Sequence, residues 1–299
     1  MDYGNVLKKG WQITWKNKGL WILGILSGCT SGAGNPSQSF SYQTSGQEFP
    51  GLERTFNSIP EETWILIAVG IVIVAFLFAA VAIILSILGQ AGLIAGVAKA
   101  DETGSVRLSE AWKGGLPHFW RLLGLALLLV AIVLVIALVV GIIVVVTFGL
   151  GLLCLLPLLC VAIPLALVLS GYLSLVQNGI VLGRQGVFEA LGRSWGLLKA
   201  NLWPVVLLTV ILWVVGLVAG LVMSVPLLVA AVPLLAIAVS QPDPELTAFL
   251  PTIACFVLYL PVLIVLGGVL KTYVSAVWTL TYRRLTGASV ASIAVPSPS

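Results

Sequence analysis

Residues 64–98, 122–182, 202–239 and 249–270 contain almost no charge, and apolar positions follow one another through them without the alternation of a half-buried strand. Each run is at least as long as the roughly 20 residues that carry a helix across a bilayer, and the second must cross twice. Helices are expected rather than barrel strands, because barrel strands alternate over about 10 residues and a helix satisfies its own backbone hydrogen bonds in lipid. The runs are separated by segments that set Lys or Arg beside Trp and Leu, as in "RLSEAWKGGLPHFW" and "GVFEALGRSWGLLKANLW". That pattern predicts amphipathic helices lying in the plane of the interface.

Self-similarity orders these pieces. "VLSGYLSLVQNGIVLGRQG" at 168–186 and "VLKTYVSAVWTLTYRRLTG" at 269–287 align without a gap, and "SILGQAGLIAGVAKADETG" at 86–104 is a fainter third copy. Ahead of two apolar runs stand Glu-Ala, a Trp and a second Trp eight residues on, Trp112 with Trp120 and Trp195 with Trp203; Leu20-Trp21 occupies the matching place at the start of the chain. The expected fold class is therefore all-α and polytopic, with about six transmembrane helices built as three repeated hairpins with interfacial helices. Unit one is 1–104 with a polar Ser/Gly-rich outer loop at 29–62, unit two is 105–186, unit three is 187–287, and 288–299 is a flexible tail. Trp21, Trp112, Trp120, Trp195 and Trp203 are the candidate interfacial anchors, since an indole ring is half apolar and its N–H is solvated at headgroup depth.

Composition agrees with the pattern: 60% of the 299 residues are hydrophobic and 9% are charged, against about a quarter charged in soluble chains. In the six-span arrangement Lys8, Lys9, Lys16, Lys18, Lys99, Arg107, Lys113, Arg121, Arg184, Arg193, Lys199, Arg283 and Arg284 share one side, and Arg54 alone takes the other. The excess places both termini in the cytoplasm of a multi-pass cell-membrane protein. A net charge of +4 spread along one face points to anionic lipid headgroups, with a protein partner on the surface helices as a further expectation, and not to nucleic acid.

"LSGC", ending at Cys29, fits a lipobox, so cleavage before Cys29 and lipidation would leave a lipoprotein with five spans. The segment ahead of it holds Trp11, Ile13 and Trp15 like a surface helix, and the repeat accounts for it as the opening of unit one. The retained N-terminus is preferred, with Cys29 kept as a candidate lipidation site. Its weakness is length, because a span starting near Gly19 either borrows polar residues beyond Cys29 or enters the bilayer only partway. Cys154, Cys160 and Cys255 lie in apolar runs without paired spacing, so neither a disulfide framework nor a metal site is expected.

No catalytic constellation is found. His118 sits between Pro117 and Phe119 without an acid or nucleophile at a recognisable spacing, and Glu110 and Glu189 are explained by first-turn helix charge or by salt bridges to Lys113 and Arg193. Neither a Walker loop nor GxGxxG nor HExxH occurs, and no cofactor is expected. Lys271 stands out as an ionisable group at the end of an apolar run. Gln90, Gln177-Asn178 and Lys271 all follow about 20 apolar residues, which favours marking the exit from hydrocarbon, with Lys271 reaching to headgroups. The competing expectation is a polar cavity lined by Lys271, Gln177, Asn178, Tyr172 and Tyr273. Small residues at four-residue spacing, Gly92/Gly96, Gly179/Gly183 and Gly216/Gly220, suggest close helix packing.

"EALGRSWGLLKANLWPVVLL" and "GNVLKKGWQITWKNKGLWILGILSG" resemble a broad group of bacterial multi-pass proteins and are similar to the membrane domain attached to some glycerophosphodiester phosphodiesterases. The resemblance implies a membrane module and transfers no active site. The expected function is a non-enzymatic membrane scaffold or lipid-contacting accessory protein. The alternatives are a small-molecule or lipid transporter with a cavity between hairpins, and the five-span lipoprotein.

Overall fold

A computed structural model describes residues 3–28, 61–147, 151–240 and 246–287. Nine α-helices occur among them: α1 (Tyr3–Lys16), α2 (Gly19–Gly28), α3 (Glu61–Thr103), α4 (Leu108–Gly115), α5 (Phe119–Val146), α6 (Gly151–Leu182), α7 (Val187–Ala200), α8 (Leu202–Ser240) and α9 (Leu246–Leu285). A 3-10 turn, Leu116–His118, joins α4 to α5, with Pro117 in its opening positions where a missing N–H costs nothing. There is no strand among the described residues.

Five helices, α3, α5, α6, α8 and α9, are long and apolar enough to cross a membrane, so the molecule is a polytopic helical protein of the kind the charge-free runs predict. Their outer halves expose large apolar side chains on every side, including Phe76 and Phe78 on α3, Val145 on α5 and Leu258 on α9. Surface of that extent, on helices long enough to span a bilayer, fits contact with lipid. The first expected span, α2, has 10 described residues, about 15 Å of helix against a hydrocarbon core of about 30 Å. The Ser/Gly-rich loop, the tail 288–299 and Cys29 lie outside the described residues.

Among the described residues, the buried clusters lie at the end that carries the basic residues. There α3, α6 and α9 touch one another; α2 lies between α3 and α9, α5 between α3 and α6, and α8 between α6 and α9. The short helices cover this end, α4 on α3, α7 on α6 and α1 on α9. One cluster of buried residues runs from Val6 and Ile13 of α1 through Leu20 and Leu23 of α2 to Ala276, Val277 and Leu280 of α9. A second joins Ala91 and Ile94 of α3, Leu122 and Leu125 of α5, and Val176 and Ile180 of α6.

Glycine permits the closest approaches. A Cβ on Gly24 of α2 would collide with the Gly268 carbonyl oxygen and the Thr272 hydroxyl of α9, and one on Gly115 would stand 2.5 Å from the Gly92 nitrogen. Polar bonds cross the same seams: the Thr272 hydroxyl donates to Leu20 O at 3.2 Å, and the Ser86 hydroxyl donates to Ser27 O at 3.2 Å.

Asn17, buried between α1 and α2, fastens the turn after α3. Its side-chain N–H donates to Ile13 O at 3.1 Å and its Oδ1 accepts from Val106 N–H at 2.9 Å across 89 residues of chain. Asn17→Ala would strand a partly buried backbone N–H, and a loss of about 1–2 kcal/mol is expected. Thermal unfolding of the variant in nanodiscs checks this; an unchanged midpoint would mean water replaces the amide freely.

Candidate functional site

The helices place a cavity of about 210 Å³ where the packed end meets the lipid-exposed halves. Its polar lining comes from Gln90 of α3, Gln177 of α6, Lys271 of α9, Ser27 of α2 and Ser86 of α3; its apolar wall is Ile87 with Leu122, Leu125, Ala126 and Leu129 of α5. Thus α3, α6 and α9, which meet at the centre of the packed end, each contribute one long polar side chain. Gln90 Nε2 donates to Gln177 Oε1 at 3.1 Å, spending one N–H and one carbonyl of the two amides. Lys271 is partly buried, and among the described residues neither a carboxylate nor a hydrogen-bond acceptor is bonded to its ammonium. An ammonium held at membrane depth without a counter-charge is costly unless water or an anion reaches it.

Of the five residues expected at a polar cavity, Lys271 and Gln177 line it, and the other three serve the packing around it. Tyr172 donates its hydroxyl to Leu191 O at 3.0 Å and meets Trp195 edge-on at 5.8 Å. Tyr273 meets Trp11 edge-on, also at 5.8 Å. Asn178 is buried with its Nδ2 donating to Ser174 O at 2.8 Å. Ser27 and Ser86 were not anticipated as lining residues. A lone hydroxyl in an apolar run is the only signal either gives, and bonding to a backbone carbonyl explains such a hydroxyl equally well.

The expected anchors occupy the rim of the packed end. Trp120 and Trp203 are 76% and 83% exposed, Trp195 is exposed with Lys199 lying 5.1 Å over its ring, and Trp112 is partly buried against the main cluster. Trp21 is more constrained, donating its indole N–H to Thr14 O at 2.8 Å. Arg121, next to Trp120, donates to the carbonyls of Arg184 and Gln185 and ties the start of α5 to the turn after α6.

Charge elsewhere is spent on packing. Arg283, 9% exposed, reaches Asp101 at 3.0 Å, Glu102 at 2.9 Å and Ala98 O at 3.0 Å, and Lys9 also pairs with Asp101, so the group joins α1, α3 and α9. Glu110 pairs with Lys99 of α3 at 3.0 Å rather than with Lys113, because α4 lies flat on α3. His118 turns its Nδ1 to Gly114 O at 3.3 Å. Among the described residues no three His, Cys, Asp or Glu side chains come together as metal ligands would.

The sequence profile of a family described as "Domain of unknown function (DUF7847)" matches residues 63–285. No curated protein and no solved structure matches the chain. These comparisons show no link to the membrane domain of glycerophosphodiester phosphodiesterases.

Proposed function

The chain belongs to the DUF7847 family, whose function is unknown, and we propose that it is a non-enzymatic scaffold or lipid-contacting accessory protein of the cytoplasmic membrane. The observation that carries this is the exposure of Trp and basic side chains at the packed end: Trp11, Trp15, Trp120, Trp195 and Trp203 are exposed, as are Lys8, Lys16, Arg193 and Lys199, and Lys199 lies over the Trp195 ring. Amphipathic α1 buries Val6, Ile13 and Thr14, α7 buries Ala190, Ser194 and Leu198, and each turns its charges outward. Such helices engage anionic headgroups at about 1 kcal/mol per basic residue. The concentration of Lys and Arg at this end supports cytoplasmic termini.

Parallel packing supports three units and six membrane-entering segments. Each short helix covers the long helix that precedes it, α4 on α3 and α7 on α6, and α1 covers α9 as though closing a ring. Tyr172 with Trp195 and Tyr273 with Trp11 make like contacts, and Asn17 and Asn201 each end a short helix by donating to the carbonyl four residues back.

Neutralising Lys8, Lys16, Arg193 and Lys199 to Gln together should reduce the number of phosphatidylglycerol molecules retained when the protein is ejected from mixed nanodiscs into a native mass spectrometer. Retention at the wild-type level would remove the lipid-contacting role. The same spectrum addresses Cys29. Cleavage there would strip Val6, Ile13, Leu20 and Leu23, all buried, from the main cluster, so an intact mass near 31.5 kDa is expected rather than a shorter acylated chain. The cavity at Lys271 favours one second reading, a transporter for a small molecule or lipid. Wild-type function in cells carrying Lys271→Ala would deprive it of its central residue.

A further inference from the structure

We propose that the cavity at Lys271 is a binding site for the anionic headgroup of one membrane lipid, whose first acyl carbons lie along Ala126 and Leu129. The donors point to an anion. Lys271 offers three N–H groups, and Gln177, whose Oε1 is taken by Gln90, keeps its two amide N–H groups without an acceptor among the described residues. No carboxylate lines the cavity to supply the missing charge.

The wall and the depth point to a lipid rather than a soluble anion. Half of the lining residues are aliphatic, four of them in one row on α5, a surface that gives nothing to a hydrated ion. Leu122, Leu125 and Leu129 follow Trp120 by two, five and nine residues, so they stand about 3, 8 and 14 Å further along the axis. With Trp120 at headgroup level, as the proposed function has it, the cavity spans the depth at which a phosphate gives way to glycerol and the first methylenes. The neighbouring Leu127 and Val130 are exposed on the same helix, so the rest of the chains would continue into bulk lipid. A volume of about 210 Å³, equal to roughly seven waters, accommodates a headgroup and not a whole lipid.

The test is native mass spectrometry of the full chain ejected from phosphatidylcholine nanodiscs containing a minority of phosphatidylglycerol. Wild type should hold one phosphatidylglycerol tightly. Lys271→Gln should lower that occupancy by roughly tenfold or more, the worth of a hydrogen-bonded charge, and Lys271→Arg should keep it. Ala126→Phe, which fills the cavity from α5 and leaves Lys271 in place, should cause the same loss, so the outcome does not depend on how well the Gln variant folds. Equal retention of phosphatidylcholine by wild type, undiminished phosphatidylglycerol in both Lys271→Gln and Ala126→Phe, or displacement of the lipid by inorganic phosphate would each overturn the assignment. The rim variant that neutralises Lys8, Lys16, Arg193 and Lys199 should shed loosely held lipid and keep the tight one. A lost rim effect with an intact tight site would therefore count against the surface role alone.

Discussion

Arg283→Ala is expected to destabilise the folded chain by about 3–5 kcal/mol, the cost of removing one partner of a buried ion pair. Arg283 is nearly buried, and its guanidinium simultaneously meets Asp101, Glu102 and the Ala98 carbonyl. Removing it leaves the Asp101 carboxylate, with a side chain 12% exposed, facing a void with only Lys9 as a partner. An unpaired charge in a low-dielectric site costs more than the pair contributed. Arg283→Lys should fall between, since one ammonium cannot reproduce a planar fork that reaches two acids and a carbonyl. Thermal unfolding in nanodiscs followed by circular dichroism measures both variants. An Arg283→Ala midpoint matching wild type would mean that water enters this junction and that the group does not hold α1, α3 and α9 together.

Gly24→Leu is expected to cost at least the upper part of the 1–3 kcal/mol usual for overpacking, because the obstacle is backbone. Its new Cβ would meet the Gly268 carbonyl and the Thr272 hydroxyl, neither of which can move without parting α2 from α9. Parting them also breaks the Thr272 bond to Leu20 O. Gly216→Ala and Gly220→Ala are the controls. Nothing lies within 4 Å of a Cβ at either position, and a helical Gly replaced by Ala gains about 0.5–1 kcal/mol. Measured by the same unfolding assay, equal effects at Gly24 and Gly216 would refute the close approach of α2 and α9.

What the sequence makes legible follows from distance along the chain. The long helices are visible because continuous apolarity is a local property, and the rim Trp residues because each stands beside the run it introduces. Gly216/Gly220 has the small-residue spacing of a packing motif yet faces no neighbour, and of Gly24 and Gly28, which share that spacing on α2, Gly24 bears the tightest contact while Gly28 meets nothing within 4 Å. A four-residue spacing says which face is smooth and not whether another helix lies on it. Arg283 read as one more cytoplasmic charge, since Glu102 is 181 residues away in sequence and no local pattern announces the pair. Gln90, Gln177 and Lys271 were recognisable as polar ends of apolar runs. That they share one cavity, and that Tyr172, Asn178 and Tyr273 do not line it, depends on how α3, α6 and α9 rotate about their axes once packed.

The contact of α1 and α2 with α9 also sets a timetable for biosynthesis. Leu20 finds its partner Thr272 only after 252 further residues have been made, which at about 5–20 residues per second is a delay on the order of tens of seconds. Until then α1 and α2 have no α9 to close upon. In that interval α3 and α6 can pair, whereas the contacts of α1 and α2 with α9 cannot yet form. An insertase or chaperone that shields α1 and α2 during that interval should raise the yield of folded protein more than one acting on α9.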